Sequence, residues 1–305
     1  MAFFRDADMN EVEFYLEDLK SKFSKINPNE YYLAYSGGRD SHFLLWFIRE
    51  YLHETRIPAV FNNTGMEIPE IRDRGLANAD VVLKPAMKHA EIKEKFGIPL
   101  NTKQSDAWVY EYQHRKEQGI RDEDMPGWIK CYAMREVVAI KWSKESGHLP
   151  MTAVNKKTSK AMMEGRLHKV SNLCCKYLKK KPARMYEKEN GIKPIIGLMG
   201  GESFNRSQIK SCFTVDKKFY PLWDLTDDLQ HEIEQEFNIP VPRIYYFKNQ
   251  TGCAGCPYGQ HGKNRFENTN IDLSLCGEGQ RKFILDYFAE SYAFKGYNYQ
   301  PRLFL

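Results

Sequence analysis

The sequence predicts an α/β fold, a parallel twisted sheet flanked by helices, with a C-terminal cysteine-bearing extension. Two observations carry the sheet. The apolar run Tyr31-Tyr32-Leu33-Ala34 passes through the turn Tyr35-Ser36-Gly37-Gly38-Arg39-Asp40-Ser41 into the apolar run 43–48, which is strand, glycine turn, helix. A second short apolar run, 57–61, then completes the β-α-β order that calls for parallel pairing. The third observation, two separated cysteine pairs in the second half of the chain, predicts the extension.

Taken in order, residues 8–25 place Val12, Phe14, Tyr15, Leu16, Leu19 and Phe23 near the helical period and read as an amphipathic helix closed by Asn27-Pro28-Asn29. The first strand and its helix, to about residue 53, follow. The strand 57–61 ends in a polar turn that opens a helix over 70–77, so the two turns should lie side by side at the carboxyl ends of neighbouring strands. A third strand is expected at 80–83, a helix at 90–96 ending in Gly97-Ile98-Pro99, and another within 103–118 after Ser105. After a charged loop at 122–127, Ile129, Val137, Val138, Ile140 and Trp142 predict a helix over 128–143, with Cys131 near its start as a buried small hydrophobe or a reactive thiol. Residues 151–169 are basic (Lys156, Lys157, Lys160, Arg166, His168, Lys169) and short of apolar periodicity; they read as a solvated surface or a lid over a polyanion. An amphipathic helix ends at about 237, and a last one spans about 279–293. The expected division is an N-terminal helix (1–28), a nucleotide-binding α/β domain (29–230) and a C-terminal segment (231–305).

Composition narrows the class. With 305 residues, 42% hydrophobic and 13% aromatic content, the chain is long enough for a sizeable core and is not a disordered protein. A net charge of +5 permits a polyanionic partner without requiring one. No apolar stretch reaches the roughly 18 residues of a membrane span, and Arg5, Asp6 and Asp8 leave no apolar leader, so a cytoplasmic location is expected. Seven cysteines, an odd number, then favour metal or redox roles over a disulfide framework.

The first turn has the chemistry of an anion seat. Paired glycines let the backbone bend and approach a ligand, and the helix beyond contributes amide donors and partial positive charge. It lacks the Gly-Lys-Ser/Thr of a Walker A loop and the spacing of the dinucleotide fingerprint. Ser36-Gly37-Gly38-Arg39-Asp40-Ser41 instead resembles the PP-loop, Ser-Gly-Gly-x-Asp-Ser, of the N-type ATP pyrophosphatases. The resemblance covers roughly residues 30–259. It implies a Rossmann-like fold of the adenine nucleotide alpha hydrolase kind, with ATP held by these six residues, Ser36 and Asp40 in catalytic roles, and magnesium on Asp40. Read by itself, Asp40 is a helix N-terminal charge worth about a kcal/mol or less.

Two further stretches resemble the phosphoadenosine phosphosulfate (PAPS) reductase branch of that superfamily. Asn63-Thr64-Gly65-Met66-Glu67-Ile68-Pro69-Glu70 is similar to its Asp-Thr-Gly-x-Glu-x-Pro-Glu segment, with Asn63 in place of the acid; Thr64, Gly65 and Glu67 are thereby implied to contact nucleotide. Thr64 and Glu67 also read as a capping box. The run from Gly197 to Arg206 is similar to Gly-x-Arg-x-x-Glu-Ser-x-x-Arg, with Met199 in place of the first arginine. It implies Glu202 as a nucleotide contact and Arg206 as a catalytic clamp, the alternative being an Arg206–Glu202 pair that fixes the loop. Residues 220–226 resemble a scaffold segment of the same branch.

Cys174-Cys175 and, much later, the knuckle Cys253-Ala254-Gly255-Cys256 could supply four thiolates to zinc or to an iron-sulfur cluster. Adjacent cysteines chelate one ion poorly, whereas a cluster spreads its irons. The order Cys-Cys then Cys-x-x-Cys resembles the four-iron four-sulfur (4Fe-4S) pattern of assimilatory adenylyl-sulfate reductases, so the cluster is expected ahead of zinc.

The resemblance divides on reaction. Leu275-Cys276-Gly277-Glu278-Gly279 shares only Cys-Gly with the reductase nucleophile segment Glu-Cys-Gly-Leu-His, while the PP-loop is intact. The favoured expectation is an ATP pyrophosphatase that adenylates an acceptor for sulfur insertion, similar to the cluster-bearing pyrophosphatase component of DNA phosphorothioation systems and to transfer-RNA thiolases. It implies a cysteine desulfurase as sulfur donor, DNA or tRNA as acceptor, and a homo-oligomer or a subunit of a complex. A PAPS or adenylyl-sulfate reductase and a non-catalytic cluster-bearing nucleotide-binding subunit are the alternatives.

Overall fold

The computed structural model describes residues 10–136, 153–200, 211–260 and 265–302. In chain order its main elements are α1 (Glu11–Phe23), β1 (Tyr31–Tyr35), α2 (Arg39–Trp46), β2 (Ala59–Asn62), α3 (Pro69–Asn78), β3 (Val81–Leu83), α4 (His89–Phe96) and α5 (Lys103–Glu117). Then come α6 (Lys156–Met163), α7 (Lys181–Asn190), β4 (Lys193–Ile195), α8 (Asp227–Glu236), α9 (Glu267–Leu275), α10 (Glu278–Tyr287) and α11 (Ala289–Lys295). The chain divides into two compact units, Met1–Lys84 with Pro182–Thr251, and Pro85–Lys181 with Gly252–Leu305. Packing therefore groups the chain into discontinuous pieces, unlike the division 1–28, 29–230 and 231–305 read from chain order. No helix among the described residues is long and apolar enough to cross a membrane.

The first unit holds the predicted parallel sheet, in the order β3-β2-β1-β4. Tyr35 pairs with Phe61 and Leu33 with both Ala59 and Ile195, so the turns after β1 and β2 leave the same end of neighbouring strands. The two central strands are apolar runs because their faces are covered: Leu33, Tyr35, Ala59 and Phe61 are buried with Leu16, Leu19, Phe43, Leu44 and Phe47. Helix α1 is capped by a reciprocal Asn10–Glu13 pair and buries Val12, Tyr15, Leu16, Leu19 and Phe23. Phe14, counted among its apolar positions, is exposed. The helix expected to run to 53 ends earlier: α2 passes into a π-helical turn, Phe47–Tyr51, and His53 adopts a left-handed conformation.

The second unit is helical, and its buried side chains include one group around Leu100, Val109, Ile129 and Val154, another around Ile92, Phe96, Cys174 and Leu178, and Leu273, Ile284 and Phe288 nearer the C-terminus. Helix α5 starts at Lys103, earlier than expected, because Thr102 and Ser105 form a capping box. The basic stretch 151–169 contains a helix, α6, that buries Thr158, Ser159, Ala161 and Met162. Its buried face is half hydroxyl, so it shows no apolar period. Gly127–Ile129 and a π-helical turn Lys130–Met134 end at Arg135, in the left-handed region; Val137, Val138, Ile140 and Trp142 lie outside the described residues. The single helix expected over 279–293 is two, α10 and α11, meeting at Phe288.

Candidate functional site

The loop of the first unit is assembled from β1, α2 and two short stretches that come from residues 230–251. Gly37 has φ +74°, and a Cβ there would stand 2.4 Å from the Ile71 carbonyl oxygen, so the bend needs glycine for both conformation and space. Ser41 Oγ accepts from the Ser36 amide at 3.1 Å, meets Ser36 Oγ at 2.9 Å and donates to the Gly38 carbonyl at 3.1 Å. Ser36 Oγ in turn accepts from the Gly38 amide at 3.3 Å. The two serines thus fix the bend from inside.

Tyr245 closes this arrangement. Its hydroxyl accepts from the Arg39 amide at 3.0 Å and meets Thr251 Oγ1 at 3.1 Å. A hydroxyl oxygen therefore sits where a phosphate oxygen would accept at a helix N-terminus. A methyl on Gly38 would come within 2.7 Å of that hydroxyl and 3.2 Å of Ser36 Oγ, so in this structure it meets Tyr245 first.

Arg39 is turned away from the bend. Its guanidinium makes a two-pronged pair with the buried Glu234 of α8, at 2.7 Å for the closest contact, and Gln230 donates to the same carboxylate at 2.9 Å. Burial disfavours both charges; the pairing raises the Arg39 pKa nonetheless, while burial still leaves Glu234 above the usual carboxylate range. Asp40 stands in the first turn of α2, with Gln230 Nε2 3.5 Å from one carboxylate oxygen.

Arg74 of α3, absent from the sequence reading, brings a further cation to this region. Burial lowers its pKa, and it donates to the Pro240 carbonyl. Its charge is felt at Tyr35, whose pKa burial pushes up to about 12, and at His42, lowered to about 4 first by burial and then by Arg74. Tyr35 Oη and His42 Nδ1 are 3.0 Å apart. Neither Arg74 nor Tyr245 had a sequence signal beyond residue type, because no motif marks a side chain brought in by packing.

The second turn is built differently from a helix cap. Glu67, 4% exposed, accepts from the Thr64 amide at 3.1 Å and from Thr64 Oγ1 at 2.6 Å. Helix α3 begins only at Pro69, with Ile68 as its N-cap residue, so the Thr64–Glu67 pair closes the turn itself and not the helix end. Gly65, at φ +75°, has open space where a Cβ would be. Glu202 and Arg206 lie outside the described residues.

In the second unit the four expected ligand cysteines, Cys174, Cys175, Cys253 and Cys256, form no disulfide, and neither do the other three. The knuckle is tightly specified: the Cys256 amide donates to the Cys253 carbonyl at 3.1 Å, and Gly255 is left-handed with a phantom Cβ 2.7 Å from Tyr292 Oη and 2.8 Å from Ile284 Cγ2. The Gly255 amide donates to Asp272 at 3.2 Å and its carbonyl accepts from Tyr292. The four thiols sense one another. Cys174 is pushed up by its hydrogen bond with Cys175, by burial and by the charges of Cys175, Cys256 and Cys253. Cys175 is lowered, chiefly by the hydrogen bond from Cys174, with burial opposing and Lys103, Lys179 and Lys180 assisting. Burial, then Cys253, pushes Cys256 up. Among the described residues no three His, Cys, Asp or Glu side chains stand close enough together to hold a metal ion.

No protein-family profile matches the sequence, and no curated protein matches it. Among solved structures the chain is similar to phosphoadenylyl-sulfate (PAPS) reductase from Candida auris in its phosphate complex. The identity is 14%, the match covers 81% of this chain and 96% of that one, and the TM-score is 0.40. That identity and superposition are too low to transfer a site or an activity.

Proposed function

We propose that the chain is an ATP pyrophosphatase that adenylates an acceptor for sulfur insertion. The observation that carries this reading is the glycine bend after β1, pinned by Ser36 and Ser41, whose Arg39 amide is met by the Tyr245 hydroxyl. Tyr245 swings aside in this scheme, and the bend's amides take the β- and γ-phosphates. An acceptor oxygen attacks the α-phosphorus, the bond to the bridging oxygen breaks, and pyrophosphate leaves with its charge met by the loop. A sulfur nucleophile then displaces AMP from the acceptor, taking the place of the oxygen, which leaves on AMP. A cysteine desulfurase suits the donor role, and the net charge of +5 suits DNA or tRNA as acceptor. Asp40, in the first turn of α2, would hold magnesium in this scheme.

Cys174, Cys175, Cys253 and Cys256 would hold a 4Fe-4S cluster, which supplies redox and sulfide chemistry when bound; zinc is the less suited occupant because the adjacent pair Cys174-Cys175 chelates one ion poorly. The buried state of Cys276, 4% exposed, weighs against the reductase alternative, which needs an accessible nucleophile. The deciding measurement is pyrophosphate release from ATP by anaerobically purified protein. Release that is lost in Ser36→Ala and Asp40→Asn is the expected result. Silence toward ATP, with consumption of PAPS or adenylyl sulfate when thioredoxin is supplied, would replace the proposal by a reductase.

A further inference from the structure

A cavity of about 490 Å³ opens within the second unit, walled by Thr102, Ser105, Asn155, Lys157, Arg265 and Lys295. Its size is that of a small-metabolite pocket, and eight of the ten residues that wall it are polar or charged. The beginnings of two helices meet there. Thr102 caps α5 and Asn155 caps α6, its side chain accepting from the Thr158 amide at 2.9 Å, and Asn155 Nδ2 donates to Asn101 Oδ1 at 3.1 Å, tying the caps together.

Three cations share the wall, and among the described residues none is ion-paired with a carboxylate. Lys157 Nζ stands 4.5 Å from the Phe294 ring centroid and donates to the Phe294 carbonyl at 2.5 Å. Lys295 Nζ donates to the Pro257 carbonyl at 2.8 Å, and Arg265 reaches the Lys295 carbonyl at 3.5 Å. Burial lowers the Lys295 pKa to about 8, which a bound anion would reverse.

A separate observation points to a ligand. Gln260, also on the wall and 4% exposed, donates from Nε2 to Thr269 Oγ1 at 3.0 Å, yet its carbonyl oxygen is buried with no partner among the described residues. An orphaned buried acceptor in a cationic cavity asks for a ligand that carries a hydrogen-bond donor as well as negative charge. We propose that this cavity binds a phosphate monoester bearing hydroxyl groups, a sugar phosphate or a nucleoside monophosphate. The phosphate lies among Lys157, Arg265, Lys295 and the helix beginnings, and a hydroxyl donates to Gln260. The inference uses no residue of the glycine bend and stands independently of the proposed ATP chemistry.

Hydrogen exchange on the full chain, titrated with ribose 5-phosphate, AMP and orthophosphate, tests it by location. Ribose 5-phosphate is expected to protect peptides covering 100–106 and 153–158, and to bind at least tenfold more weakly to the Lys157→Gln/Arg265→Gln variant. Gln260→Met should cost affinity for ribose 5-phosphate and not for orthophosphate. Tighter binding of AMP than of ribose 5-phosphate assigns a nucleotide, and the reverse a sugar phosphate. Protection confined to 35–41, or affinity unchanged in the double variant with its circular dichroism intact, would overturn the site. Equal affinity for orthophosphate and ribose 5-phosphate would overturn the ester. Should the double variant fail to fold, the exposed Lys157→Gln alone must weaken binding by threefold or more.

Discussion

Tyr245 is the residue on which the loop's ligand-free state turns. Its hydroxyl supplies the acceptor for the Arg39 amide, so Tyr245→Phe leaves that donor unmet until a ligand arrives. The expected outcome is a loss of about 1 kcal/mol of stability with ATP or pyrophosphate binding several-fold tighter, read by urea unfolding and calorimetry. Weaker nucleotide binding would make Tyr245 a ligand contact instead. His42 gives a pH signature. Its pKa, lowered to about 4 mainly by burial, means the unfolded chain takes up a proton between about pH 6.5 and 4 that the folded chain refuses. Its contribution is therefore intact above pH 6.5 and is lost as pH falls toward 4. His168, lowered to about 4 by burial, acts in the same sense, whereas Asp106, raised to about 6 by burial, opposes them. His42→Gln should shrink the drop in melting temperature between pH 7 and pH 5; an unchanged drop would place the titration elsewhere.

At the scale of elements, the bend depends on how closely α3 and α8 approach it. Gly75 of α3 faces the Phe61 ring, where a Cβ would meet ring atoms at 2.6 to 2.8 Å. Gly75→Ala must push α3 away from β2 and should destabilise by about 1–3 kcal/mol, measured by denaturant unfolding. The Arg39–Glu234 pair ties α2 to α8. Glu234→Ala leaves a half-buried guanidinium without its carboxylate, so it should cost more than the Arg39→Met/Glu234→Met double replacement. A double-mutant cycle reads the difference, and equal costs would mean that the pair adds nothing beyond packing.

At the scale of the molecule, the proposed function gives the two units different chemistries, so they should respond to different ligands. Anaerobically prepared protein is expected to be brown and to contain about four irons per chain. Cys174→Ser or Cys256→Ser should bleach it. Chelation should raise hydrogen exchange at 173–178 and 253–260 while leaving 31–35 and 59–62 protected, since a bound metal group stabilises the fold that holds it. A colourless protein with one zinc would reject the cluster and leave the fold reading intact.

The sequence by itself determined the local features: the strand-bend-helix unit at 31–46, the parallel pairing of the sheet, the polar turn after β2, and the order of the four cysteines expected as ligands. Each is legible because period, glycine placement and thiol spacing are properties of neighbouring residues. Helix α7 was missed because its charged sequence buries only Pro182, and α6 because half of its buried face is hydroxyl. Only the tertiary structure decided that Arg39 turns to Glu234, that Tyr245 occupies the bend, that Arg74 lies near it and that a cationic cavity forms around Gln260. Those placements depend on side chains separated by up to about 200 residues being packed and desolvated together, and no local pattern encodes which distant partner offsets the loss of water.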